Sequence, residues 1–161
     1  MIEIKHLTPT ELLALHSMVA EELRERGVVR SANNPTADLA EYLFCRAFGW
    51  AQAGNSHPSA DATSEDGTLY QIKGRRITRH NPSRQLSAMR RLPDGGFHFL
   101  AAVLFGPDYS IQRAAIIPHM LVLENSRYIQ HTNSWNFLLR DVVWMWPGVE
   151  DATDRLRAVT F

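Results

Sequence analysis

The stretch Ser59-Ala60-Asp61-Ala62-Thr63-Ser64-Glu65-Asp66-Gly67-Thr68-Leu69-Tyr70-Gln71-Ile72-Lys73-Gly74-Arg75-Arg76 decides how this chain reads. Thr68 to Ile77 alternates polar and apolar residues and predicts a strand. Side chains on a strand point alternately to its two faces, so Tyr70 and Ile72 share one face and Gln71, Lys73 and Arg75 the other. Ahead of the strand, Glu65-Asp66-Gly67 suits a three-residue hairpin loop with Gly67 in the left-handed conformation. That loop pairs Ser64 with Thr68 and sets Asp61 opposite Gln71, on the face of Lys73. A two-residue loop would set Asp61 opposite Ile72 and turn it away.

An acid, an amide and a lysine gathered on one face have a definite chemistry. The Asp61 carboxylate, the Gln71 amide oxygen and the Ile72 carbonyl are hard oxygen donors that suit Mg²⁺ or Mn²⁺. Such an ion stabilises charge developing on a phosphodiester and lowers the pKa of an attacking water. Lys73 can orient or deprotonate that water, or neutralise the phosphate. Arg75, Arg76, Arg79 and Arg84 follow closely and suit the phosphates of a nucleic-acid backbone.

Charge distribution supports a nucleic-acid partner although the formal net charge is zero. No acidic residue lies between Asp66 and Asp94, whereas Lys73, Arg75, Arg76, Arg79, Arg84, Arg90 and Arg91 all do. A local basic run can bind phosphates while the rest of the chain offsets it.

The flanking sequence predicts helices on both sides of a run of strands. Thr8-Pro9-Thr10-Glu11 carries a capping box with proline at the first helical position. Leu12, Leu13, Leu15, Met18, Val19 and Leu23 follow as an apolar stripe that ends near Gly27. Asn34-Pro35 opens a second helix over 35–48 that is apolar on nearly all sides and therefore buried. Within it Glu41 shares a face with Ala37, Cys45 and Phe48, where a carboxylate is costly unless paired or metal-bound. Asn81-Pro82 opens a short helix to about residue 91. Phe97 to Phe105 predicts a strand buried on both faces, and Ile111 to Ile117 another. Asn133 or Ser134 caps a helix to about 143, and a last amphipathic helix follows Pro147-Gly148. This order predicts one α/β (α+β) domain over 1–161, with a mixed central sheet flanked by helices.

Apolar residues make up 45% of the chain and charged residues 21%, a balance that suits a globular protein and excludes intrinsic disorder. The single cysteine, Cys45, rules out an internal disulfide and suits a reducing compartment, and its context is that of a core thiol. The N-terminus lacks the pattern of a signal peptide and no apolar run is long enough to span a membrane, so the expected location is the cytoplasm. Seven histidines show no paired-ligand spacing, and nothing predicts structural zinc or an organic cofactor. His57 and His80 flank the hairpin, within reach of a substrate there.

With Asp61 followed by Gln71-Ile72-Lys73, the chain resembles the PD-(D/E)XK nuclease superfamily, the restriction-endonuclease-like class. The resemblance implies a mixed sheet flanked by helices with the motif on a hairpin, and a magnesium-dependent deoxyribonuclease. It carries metal binding onto Asp61 and onto Glu41 of the upstream helix, and the lysine role onto Lys73. It covers residues 35–120 as a nuclease-like core, with residues 1–30 as a helical extension and 133–161 as C-terminal helices. Ala60 stands in place of the motif's proline, and Gln71 in place of the acid of the triplet. The second change removes a negative charge, so activity leans on Glu41. Cutting both strands of DNA would call for a second subunit, hence a homodimer.

Each feature also has a structural account. Asp61 can cap a turn, and Lys73 and Arg75 can be the solvated face of an edge strand. The basic run can be a solvated surface, its arginines pairing with Glu150, Asp151 and Asp154. Two further functions follow: a nuclease-fold module that binds nucleic acid or a protein without catalysis, and an interaction protein with no nucleic-acid role.

Overall fold

The computed structural model describes residues 3–53 and 59–161. Helix α1 (Pro9–Glu25) begins as its sequence predicts: Thr8 and Glu11 form the full capping box, and Pro9 occupies the first turn. None of its residues is buried. Helix α2 (Thr36–Phe48) starts where the Asn34 side chain accepts the Thr36 N–H at 3.0 Å, and stops at Gly49, whose φ of 69° favours glycine. It is less enclosed than its composition suggests, with only Ala40, Leu43 and Phe44 buried.

Six strands then form one mixed sheet in the order β1-β2-β3-β4-β5-β8. They are β1 (Ala51–Gln52), β2 (Ala62–Thr63), β3 (Leu69–Arg76), β4 (Phe99–Phe105), β5 (Ile111–Pro118) and β8 (Glu150–Asp151). Strands β3 and β4 run parallel, and every other neighbouring pair runs antiparallel. Helices α3 (His119–Glu124) and α4 (Thr153–Arg157) complete the four α-helices of the described residues. The fold is therefore mixed α/β, as the sequence predicts. No described helix is long and apolar enough to cross a membrane.

The apolar run of β4 sits at the centre because it serves two cores. Ala101, Val103 and Phe105 pack with Ala40, Leu43 and Phe44 of α2, Ile72 of β3 and Leu156 of α4. Leu100, Ala102 and Leu104 pack on the opposite face with Leu86, Met89, Phe137, Leu139 and Val143. Leu100 to Phe105 are all completely buried, as a strand covered on both faces requires.

Three predicted helices are corrected. Residues 81–91 are not helical; their backbone runs beside Trp135–Leu139 instead. Leu86 and Met89 donate to the carbonyls of Phe137 and Trp135, at 3.0 and 2.9 Å, and Trp135 donates back to Met89. The spacing of Leu86 and Met89 mimics a helical stripe, yet bonds to a distant segment outweigh that local pattern. The predicted helix from Asn133 is a hairpin: β6 (Arg127–Ile129) pairs with β7 (Ser134–Asn136) around Asn133, whose φ is 46°. The Tyr128 and Trp135 rings, 4.7 Å apart across that hairpin, favour pairing over a helix. Only a 3₁₀ turn at Asp141–Met145 remains helical there. The last predicted helix shrinks to α4, anchored by the fully buried Leu156.

Candidate functional site

The decisive hairpin has the register that the three-residue loop requires. Ala62 faces Tyr70 and Thr63 faces Leu69. Gly67 has φ of 83°, and Ser64 donates to the Thr68 carbonyl at 3.0 Å. The Asp66 carboxylate accepts the Ser64 hydroxyl and the Thr68 N–H, and these bonds lower its pKa to about 2. One step further along the register, Asp61 and Gln71 meet. The Gln71 Nε2 donates to Asp61 Oδ2, and the Ile72 N–H donates to the same oxygen at 2.7 Å.

Strand β2 has ended at this point, so among the described residues no strand lies beside β3 beyond Tyr70 on that edge. A strand residue presents its N–H and C=O toward the same edge. The Ile72 carbonyl therefore opens where its N–H meets Asp61. Every hydrogen bond to Asp61's side chain among the described residues ends on Oδ2.

Glu41 reaches this edge because α2 lies very close to β3. A Cβ at Gly74 would stand 2.8 Å from the Thr36 carbonyl oxygen and 3.0 Å from the Ala40 Cβ, so only glycine admits the helix. Gly74 shares the α2-facing side of β3 with Ile72, and Ala40 precedes Glu41, so the contact holds the Glu41 turn of α2 close to β3. The side chain of Glu41 is only 14% exposed. Burial raises its pKa above the usual carboxylate range and the nearby Asp61 adds to that, while Arg30 opposes both. Burial lowers the pKa of Lys73, and the carboxylates of Asp61 and then Glu41 act against that fall. Lys73 thus lies in the field of both carboxylates and Glu41 in that of Asp61, with Gln71 bonded to Asp61.

Arg30 is the member that the sequence does not announce. Its guanidinium pairs with Glu41. It lies eleven residues upstream, beyond the break at Gly27, and no motif spacing connects the two. Cys45 neighbours the same group. Burial pushes its thiol pKa up to about 11, with Glu41 contributing, so it stays protonated near neutral pH, as a core thiol does.

The predicted phosphate-binding arginines have other partners. Arg75 donates to the Ser83 carbonyl at 2.9 Å and to Asn81 Oδ1 at 2.7 Å, closing the segment that follows β3. Arg76 donates to the Pro107 carbonyl and lies over the Tyr109 ring at 4.5 Å. Arg84 pairs with Asp141 at 2.7 Å, as does Arg113 at 3.0 Å. Arg79 is exposed and bonds only to the neighbouring His80 among the described residues. The acids expected to face these arginines do not: Asp154 pairs with Arg157, and Asp151 accepts from Thr153. His57 lies outside the described residues.

By chemistry, the oxygen donors here are of the kind a divalent ion takes. Asp61 keeps an oxygen outside its recorded hydrogen bonds, Glu41 supplies a second carboxylate, and Gln71 and Ile72 carry neutral oxygens. No group of three or more His, Cys, Asp or Glu residues gathers among the described residues. Mg²⁺ needs none, since it keeps several waters and is commonly held through one or two carboxylates. The chain matches no model of a known protein family and finds no match among curated proteins.

Proposed function

We propose that the protein is a metal-dependent endonuclease that hydrolyses DNA phosphodiester bonds, working in the cytoplasm in DNA restriction, defence or repair. One observation carries this reading: Asp61 and Gln71 bond to each other at an edge of β3 where no described strand pairs, with Glu41 of α2 and Lys73 of β3 close enough for their charges to act on the group. A half-buried lysine in the field of two carboxylates has no packing role there that an apolar residue would not fill at lower cost. The resemblance of Asp61 and Gln71-Ile72-Lys73 to the PD-(D/E)XK signature assigns the same residues, and a mixed sheet with the motif on a hairpin agrees with it.

In this reading Asp61 and Glu41 hold Mg²⁺ or Mn²⁺, with the Gln71 amide oxygen and the Ile72 carbonyl as further donors. The ion supplies charge stabilisation at the phosphate and acidifies a bound water. Lys73 orients the attacking water or takes its proton, which a lysine with a lowered pKa does more readily. Arg79 offers the most accessible phosphate contact of the predicted four. A homodimer would set two such sites on the two strands.

The test is cleavage of plasmid and branched DNA with Mg²⁺ or Mn²⁺. Asp61→Ala and Lys73→Ala each lower the rate by about a hundredfold or more, the scale of a lost catalytic group. No cleavage by the wild type with either metal, or cleavage indifferent to both substitutions, removes the enzyme reading.

A second reading has its own support. Asp61 is bonded to Gln71 and Glu41 to Arg30, so each carboxylate already has an internal partner. A nuclease-fold module that binds nucleic acid or a protein without catalysis would look like this. It predicts DNA binding that weakens steeply with salt and no Mg²⁺ affinity at Asp61.

A further inference from the structure

We propose that Arg30 is the exchangeable cation of this site: it neutralises Glu41 in the metal-free protein, and moves to a substrate phosphate when a divalent ion takes Glu41. The proposal rests on the metal-site reading above.

The charges motivate the exchange. Glu41 and Asp61 are offset by Arg30 and Lys73, so the metal-free group is formally neutral. A divalent ion adds two positive charges, and one cation must then find a new anion. Lys73 lies in the field of both carboxylates and is the more enclosed. Arg75 and Arg76 are fixed by the carbonyls of Ser83 and Pro107. Arg30, by contrast, leaves 53% of its side chain in solvent while touching the acid that the ion needs.

Its tether suits a short swing. The Arg30 N–H donates to Asp38 Oδ2 at 2.9 Å. The Ser31 N–H and hydroxyl donate to that oxygen at 2.8 and 2.9 Å. Asp38 and Glu41 both belong to α2, so the backbone of Arg30 is clamped to the helix that carries its partner. The side chain alone is left to move, at little cost in chain entropy. A planar guanidinium grips phosphate oxygens in pairs, which a lysine cannot do.

The experiment uses the full chain and its Arg30→Gln variant. Mn²⁺ binding is measured by calorimetry without DNA. Binding of a short duplex is then measured by fluorescence anisotropy with Ca²⁺ over a range of salt. Arg30→Gln is expected to bind Mn²⁺ several-fold more tightly, because Glu41 loses its competitor. It is expected to bind the duplex about tenfold more weakly, the value of one charge-assisted contact. The salt slope should fall by about one phosphate contact. Unchanged Mn²⁺ affinity, or unchanged duplex affinity and slope, overturns the role of Arg30 and leaves the metal site standing. A wild type that binds no Mn²⁺ overturns both, and that result is visible before any variant is made.

Discussion

At Gln71 the site differs from a three-carboxylate arrangement by one atom, and the difference decides how it behaves without metal. A carboxylate here would stand against Asp61 as a like charge, whereas the amide donates to Asp61. Gln71 therefore stabilises the hairpin, and under the proposed metal-site reading it would lower the charge available to a cation. Gln71→Glu should reverse both effects. Without metal, the variant loses a hydrogen bond and gains a repulsion, at a cost of about 1–2 kcal/mol. With Mg²⁺ it should recover that loss and bind the ion more tightly than wild type, since ligand binding adds to stability by mass action. Thermal melts with and without Mg²⁺ measure both. A variant whose stability ignores Mg²⁺ would show that no cation is held between residues 61 and 71. The meeting of Asp61 with Gln71 is legible in the sequence because loop length and strand alternation are local rules. Arg30 is not, because its contact with Glu41 depends on how the chain returns after α1.

Among the elements, α2 and β3 define the site together, and Gly74 sets their distance. Gly74→Ala places a methyl group against the Thr36 carbonyl and the Ala40 Cβ. A backbone oxygen cannot rotate away, so the helix must lift. The expected cost is about 1–3 kcal/mol, the usual range for overpacking. It is read as a lower denaturant midpoint with an unchanged slope. Because α2 carries Glu41, Mn²⁺ binding should weaken in the same variant. A loss of stability with full Mn²⁺ affinity would separate Glu41 from the metal. The elements also mark where sequence reading ends. The capping box of α1, the buried run of β4 and the hairpin loop are each dictated by neighbours in sequence. Residues 81–91 and 133–143 resemble helices locally, yet become a bridged segment and a hairpin. Their backbone partners, Phe137 for Leu86 and Tyr128 for Trp135, are supplied by the fold and not by the segment itself.

On the scale of the molecule, the sheet and its two cores account for the buried apolar residues other than Val28, Val29 and Ala60, and α1 stands apart from them. Its stripe is helical as the sequence predicts, but periodicity says nothing of what covers it. Leu13, Met18 and Val19 are between 50 and 70% exposed, and only Leu15, Ala20 and Leu23 are half-buried. A cavity of about 640 Å³ separates its inner side, at His16, Val19 and Leu23, from Val29 and Tyr109 of the body. A helix with so little burial contributes little to the cooperative unit, since tertiary packing supplies most helical stability. A chain shortened to begin at Gly27 should keep the sheet, both cores and the pairing of Arg30 with Glu41. Its melting temperature should fall by about 2–4 °C, the shift that a loss of about 1 kcal/mol produces at this size. Its Mn²⁺ affinity should match that of the full chain. A collapse of the melting transition would show that α1 closes onto the body in solution and covers the groove beside Tyr109. A selective loss of Mn²⁺ binding would place α1 in the positioning of Arg30, whose flanking Val28 and Val29 hang from the Leu23 carbonyl.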